Sequence, residues 1–389
     1  MGTLRENRYL CGINDEDMTP IEFRRHLHAH PELSFDEHAT ASFIEECLAA
    51  EGIACRRIAG TGVLAEISGR PAGGRTVVLR ADIDALPISE ATGLAFASRN
   101  DGVMHACGHD IHAAVLFGVL QELNRSRDFD GTVLGLFQPA EECNPGGASK
   151  VLAERPFDSR EIIAVIGEHV DSGLEVGEIG FCAGRFMASN DELRFRVRGR
   201  GGHAAQRERI DDTVTAAAHI VTMLNAVNDG QTVLSIGRII ADGATNVIPD
   251  EVYMEGTLRT FDESVRRTTW RIIESIAASV DAKFGTKTET DIDRGYPCVV
   301  NDEGLTAFAR KIAEESHKAV ALPPRTTSED FGRYCAEYPS LFYRLGVGAA
   351  AGRSHTPTFA PDERAIEVGI DFMHRLAVKI TTEYGKKEE

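Results

Sequence analysis

Hydrophobic periodicity changes character twice along this 389-residue chain, and that double change is the strongest constraint on its fold. From Asp36 to about Gly180, helical stretches at 39–51 and 113–123 alternate with short apolar, β-rich runs at 76–80, 132–137 and 162–166. Such alternation predicts an α/β fold: a mixed sheet with helices on both faces. Between about Gly184 and Gly295 the order becomes strand, helix, strand, strand, helix, strand. Residues 193–197 alternate; Val214, Ala217, Ala218, Val221 and Leu224 recur at helical spacing; 232–240 and 252–259 read as a strand pair. Val265, Thr269, Ile272, Ile273, Ile276 and Val280 then mark an amphipathic helix stopped by Gly285. A βαββαβ unit of this kind forms a four-stranded antiparallel sheet with two helices on one face, able to stand apart as a lid. After Pro297 the first style returns, with a helix at 302–317, a strand at 341–345 and a last helix from about Asp362, where Ile366, Ile370, Met373, Ala377 and Ile380 share a face. The expected organisation is a discontinuous first domain, 1–183 and 296–389, with 184–295 inserted into it.

Charge narrows the partners. With 42 Lys and Arg against 60 Asp and Glu, the net charge is 42 − 60 = −18, which repels nucleic acid and anionic membrane surfaces. The longest apolar runs, such as 113–120, are too short to span a bilayer, and 1–17 is polar where a signal peptide needs an apolar stretch. Cytoplasmic residence and small-molecule chemistry are the expectations. Eight cysteines without a framework spacing argue for reduced thiols. Cys107 alone sits among other ligand types, while Cys143 could oxidise or line a pocket beside the acidic pair that precedes it.

That pair, Glu141-Glu142, and the run Met104-His105-Ala106-Cys107-Gly108-His109-Asp110-Ile111-His112 carry the chemistry. A thiolate and an imidazole two residues apart can turn towards one ion. A carboxylate from a neighbouring segment can complete the pocket while its twin stays free for proton transfer. Five donors fall near the ends of expected strands, where α/β sheets present their sites: Cys107 and His109 after a strand at 82–86, Glu142 after 132–137, His169 after 162–166, and His355 after 341–345. Spacing by itself supports at least one metal ion. Thiolate, imidazole and carboxylate together suit zinc, and manganese, cobalt, nickel or iron are compatible with the same cage. His26, His28, His30 and His38 lack acidic or thiol companions at ligand spacing and read as structural.

The chain resembles the aminoacylase and carboxypeptidase-like metal amidohydrolases, in the branch of hippurate hydrolase, indole-acetyl-amino-acid hydrolase and N-acetyl-diaminopimelate deacetylase. The resemblance rests on ordered segments: Arg24-Arg25-His26 through Pro31-Glu32-Leu33, Leu79 to Ile88, His105 to His112, Phe137-Gln138-Pro139-Ala140-Glu141-Glu142, Gly202-His203-Ala204-Ala205, Asn246-Val247-Ile248-Pro249, Gly256-Thr257-Leu258-Arg259, Ser328-Glu329-Asp330-Phe331 and His355-Thr356-Pro357-Thr358-Phe359. It implies a zinc-peptidase-like fold with an inserted lid and dimerisation domain, and hydrolysis of the amide bond of N-acyl amino acids or short peptide-like amides. It also implies two divalent ions on Cys107, His109, Glu142, His169 and His355. Glu141 matches the general base that takes a proton from metal-bound water and returns it to the leaving amine. Asp84 matches a carboxylate that orients a ligand histidine, with a helix cap as its other reading. His203 matches a histidine that the lid of one subunit sends into its partner's site to stabilise an oxyanion, which implies a homodimer. Asn246 and Arg259 match residues that hold the substrate carboxylate.

Three departures stand out. Gln206-Arg207 occupies the place of a common Pro-His pair, Asp211-Asp212 that of Asp-Pro, and Glu168 that of an apolar residue before His169. Glu168 either adds charge to the cleft or faces away from it. A metallo-dipeptidase or aminopeptidase-like enzyme, recognising a free amine through an acid such as Glu168, is the alternative reading. A non-catalytic binding relative would show lost ligands, and none of the five is lost.

Overall fold

The computed structural model describes residues 18–71 and 74–385, so Cys11 and the polar stretch 1–17 lie outside the described residues. The chain divides into two compact units. The first comprises Met1–Gly184, Asn301–Leu322 and Glu337–Glu389, and the second Arg185–Val300 with Pro323–Ala336.

In the first unit eight strands form one mixed sheet in the order Ala54–Ile58, Gly62–Ser68, Thr132–Gln138, Arg75–Asp82, Glu161–Asp171, Ser340–Gly346, Glu178–Phe181, Lys318–Ala321. The four central strands, from Thr132–Gln138 to Ser340–Gly346, run parallel, and antiparallel pairs occur on either side of them. Every residue of Ser340–Gly346 is buried, and all but the first of Arg75–Asp82, as expected for strands covered on both faces.

The helix His109–Ser126 crosses this sheet almost entirely buried, beside the helices Pro20–Ala29 and Arg364–Thr382. Phe23 stacks on Phe117 with ring centroids 4.4 Å apart. Pro20–Ala29 begins at a reciprocal cap, in which Thr19 Oγ1 accepts from the Glu22 amide and Glu22 accepts from the Thr19 amide, with Pro20 supplying a helical φ at the first position. Gly118 lets two of these helices meet, because a Cβ there would lie 2.3 Å from Ile370 Cδ1.

In the second unit four antiparallel strands lie in the order Thr232–Ala241, Glu251–Thr260, Asp191–Arg198, Lys287–Arg294. The helices Thr213–Asn225 and Glu263–Phe284 pack on one face against Leu193, Phe195, Val197, Met254 and Leu258. Gly285 ends the longer helix at φ 73°, the left-handed stop expected there. This is the inserted α+β element that the second periodicity predicts.

Three local expectations need correction. No strand runs through 82–86: the strand ends at Asp82, because the chain then turns and its next carboxylate, Asp84, bonds side chains and a loop amide. The helix expected at 113–123 begins at His109, so one donor is its first residue. The strand expected at 162–166 continues to Asp171, because 165–171 pairs with all of Ser340–Gly346, so His169 lies within a strand and not beyond its end.

Candidate metal centre

Six side chains from four segments of the first unit converge. Ligand atoms of Cys107, His109 and His169 lie within 4.8 Å of one another, as do those of Cys107, Glu142 and His355, and those of His109, Glu141 and Glu142. The Cys107 Sγ is 3.2 Å from His169 Nε2 and 3.2 Å from His355 Nε2. His355 Nε2 is 3.2 Å from Glu142 Oε1, which in turn lies 3.9 Å from His109 Nε2. Every sequence-expected donor is therefore in one cluster, and Glu141 points into it.

Backbone geometry explains the convergence. Gly108, at φ 98°, reverses the chain between Cys107 and the helix start at His109, and a Cβ there would meet Val170 Cγ2 at 2.6 Å. Ala140 and His355 both adopt positive φ, at 53° and 60°, so the loops bearing the acidic pair and the last histidine turn sharply inward. The His355 amide is tied to the Ala106 carbonyl at 2.8 Å.

Asp84 is a hub. It receives the Glu142 amide at 2.9 Å and the Ser34 hydroxyl at 2.7 Å on one oxygen, and its other oxygen and its carbonyl lie 3.2 and 2.9 Å from His109 Nδ1. Burial works against its charge, but these bonds hold its pKa below the ordinary carboxylate value. With Nδ1 engaged, His109 turns Nε2 into the cluster.

A metal fits these residues on two grounds. His109 Nε2 is buried yet has no hydrogen-bond partner, a costly condition that a bound cation would relieve. Donors bonded to one ion at about 2.0–2.3 Å lie roughly 3.3–3.6 Å apart, and Cys107 to His169, Cys107 to His355 and His355 to Glu142 are each 3.2 Å. Electrostatics agree. Burial and then the Glu142 carboxylate push the Cys107 thiol up, while Cys107 and Glu142 raise His355 to about 10.

Sequence reasoning missed Arg80, Asp82 and His112. Asp82 Oδ1 is 2.6 Å from His112 Nδ1, and its other oxygen accepts from Arg80 Nη1 at 2.6 Å, all three side chains being fully buried. The available signal was spacing: His112 follows His109 by three residues on a helix, hence on the same face. Glu168 is also fully buried. It points to the sheet face opposite His169, accepts from the Tyr343 hydroxyl at 2.6 Å, and burial raises it to about 8.

In the second unit, the two-residue strand Gly202–His203 pairs with Val247–Ile248, which brings Asn246 Nδ2 to 3.3 Å from His203 Nε2; both residues are exposed. Arg259, on Glu251–Thr260, donates to Ser328 Oγ at 3.0 Å. Burial alone depresses its pKa, and it has no carboxylate partner among the described residues.

Residues 78–379 match the family described as Peptidase family M20/M25/M40, and the chain belongs to that family. Among individual relatives it is 38% identical over 387 residues to the N-acetyl-L-cysteine deacetylase of Bacillus subtilis (strain 168), covering 97% of this chain and 92% of that protein. It is 43% identical over 293 residues to the N-acyl-L-amino acid amidohydrolase of Geobacillus stearothermophilus, covering 73% and 78%. A Bacillus subtilis crystal structure described as a dinuclear metal-binding peptidase of the M20 family superposes with a TM-score of 0.83 at 37% identity, covering 93% of this chain and 97% of that one. Among the described residues, no helix is long and apolar enough to cross a membrane.

Proposed function

We propose that this protein is a metal-dependent amidohydrolase that releases the acyl group from N-acyl amino acids, with Glu141 as its general acid and base. The observation that carries the reading is the convergence of Cys107, His109, Glu142, His169 and His355, with the buried His109 Nε2 unpartnered and the Glu141 carboxylate in the same cluster. Two trios, Cys107/His109/His169 and Cys107/Glu142/His355, share one thiolate and would hold two divalent ions, for which zinc, manganese, cobalt or nickel are suited. Bound there, such ions supply a Lewis acid for the scissile carbonyl and a water of lowered pKa.

The protein's own groups do the rest. Glu141, next to Glu142 but not one of the five donors, accepts the nucleophile's proton and delivers it to the departing amine nitrogen. Asp84 holds His109 in the tautomer that presents Nε2. Arg259, a half-buried cation held by Ser328 and without an anionic partner among the described residues, suits the substrate carboxylate, with Asn246 as a second donor. His203 stays the candidate oxyanion donor across a homodimer. Support for that assembly is the outer strand Thr232–Ala241, paired only on one side, where Val233, Ile239 and Ile240 are exposed. A cytoplasmic setting agrees with the seven described cysteines, which are thiols outside any disulfide.

The dipeptidase alternative loses its acid, because Glu168 is buried against Tyr343 on the other face of the sheet. The test is a panel of N-acetyl, N-benzoyl and N-lauroyl amino acids given to zinc- or manganese-loaded protein. Turnover is expected on some member, and Glu141→Gln should lose about 10²–10⁴-fold in rate while retaining metal. Loaded wild type that turns over nothing on the panel defeats the reading.

A further inference from the structure

We propose that His112 is a positioning residue for the metal centre: its ring clamps the backbone at Val170 and thereby aims the His169 imidazole. The inference rests on the reading of His169 as a ligand.

Hydrogen-bond logic determines the tautomers. The Val170 amide lies 2.9 Å from His112 Nε2, and a backbone amide can only donate, so that nitrogen is bare. The proton of His112 is then on Nδ1, 2.6 Å from Asp82 Oδ1, and Arg80 on the opposite oxygen keeps Asp82 ionised as the acceptor. On the far side of the same backbone, the Val170 carbonyl lies 2.7 Å from His169 Nδ1 and takes that ring's proton. His169 is left with a bare Nε2, 3.2 Å from the Cys107 sulfur. Arg80, Asp82, His112, Val170 and His169 thus form one continuous chain of bonds, with Arg80 and His112 both donating to Asp82, that reaches the cluster.

Ser340–Gly346 pairs along one side of the strand through Asp171, but on the Arg75–Asp82 side the sheet does not provide this hold. Arg75–Asp82 pairs with Glu161–Asp171 only as far as Arg80 opposite Gly167, so beyond Gly167 an imidazole takes the place of a strand carbonyl. His112 can do so because it is buried three residues after His109 on a helix whose start is fixed at the cluster.

Two variants separate clamping from mere filling. Gln places an acceptor oxygen near the former Nε2 and keeps the Val170 bond; Asn reaches only the Nδ1 position, keeps Asp82 and abandons Val170. Metal-stripped proteins are titrated with cobalt(II), following the thiolate-to-cobalt and ligand-field absorption. His112→Asn should weaken cobalt binding by about 10–100-fold and alter the ligand-field spectrum, while His112→Gln stays near wild type. Thermal unfolding of each stripped protein checks that both fold. In wild type, ¹⁵N-histidine correlation spectra should show His112 protonated on Nδ1 alone, a measurement that needs no variant to fold.

Equal cobalt affinity of the Asn and Gln variants, or a His112 protonated on Nε2, overturns the clamp while leaving the metal reading intact. A wild type that binds no cobalt overturns both.

Discussion

Asp84 shows how much one side chain can organise. Three donors use its two oxygens, so Asp84→Asn would turn an amide NH₂ towards either the Glu142 amide or the His109 ring N–H, leaving at least one buried donor unsatisfied at a cost of about 1–3 kcal/mol. The expected outcome is metal affinity lower by roughly 10–100-fold, with Glu141 unaltered; calorimetric titration of the stripped protein checks it. His26 belongs to the same scale but not to the site. Its ring stacks on Phe43 at 3.7 Å, and burial, then His30 and Arg99, lower it to about 4. Because the folded-state pKa lies below the unfolded one, the unfolded chain binds more protons between about pH 6.5 and pH 4, and the stability from the neutral ring is lost as pH falls through that window. His26→Leu should therefore lose less stability than wild type on going from pH 7 to pH 5, as measured by denaturant unfolding. The five donors and Glu141 were legible as residues because thiol, imidazole and paired carboxylates are chemically distinctive. Asp82 was not, since a buried ion pair with an arginine leaves no mark in a sequence; His112 was marked only by its spacing from His109, which does not show its bond to a backbone amide.

At the scale of elements, the helices His109–Ser126 and Arg364–Thr382 meet where Gly118 faces Ile370. Adding a methyl at Gly118 should cost about 1–3 kcal/mol through overpacking, against about 1 kcal/mol gained in helix propensity. Gly118→Ala is expected to lower the unfolding midpoint in wild type and to raise it in an Ile370→Ala background; equal effects in the two backgrounds would mean that the contact does not govern the approach. Most elements were legible here, since the periodicities near 39–51, 214–224 and 265–280 correspond to observed helices. Ends were less so. The strand that carries His169 outruns its apolar stretch because pairing with Ser340–Gly346, a segment far away in sequence, keeps 167–171 extended despite the polar Glu168, His169 and Asp171.

Across the whole molecule, ligand binding and association should both appear as stability. A chelator in excess should lower the thermal midpoint, and added zinc restore it, since an ion that binds only the folded state stabilises it in proportion to RT ln(1 + [L]/Kd); calorimetric scans with and without chelator check this. The exposed edge makes a separate prediction. Ile239→Lys with Ile240→Lys puts charge on the outer strand of the second unit, and sedimentation is expected to report a dimer for wild type and a monomer for this variant. Both lysines are expected to leave metal content unchanged, because Cys107, His109, Glu142, His169 and His355 all belong to the first unit.

The amino-acid sequence by itself determined the kinds of element, the interruption of an α/β pattern by an α+β one, and the set of side chains able to bind metal and move a proton. These are local properties, set by side-chain chemistry and by periods of two and 3.6 residues. Tertiary structure alone decided that Cys107 and His355, 248 positions apart, lie 3.2 Å from each other, that Glu168 turns away from the cluster, and which nitrogen of His112 is bare. Those facts depend on the path of the chain through a crowded interior, where each buried polar atom must find its partner among residues that local pattern does not connect.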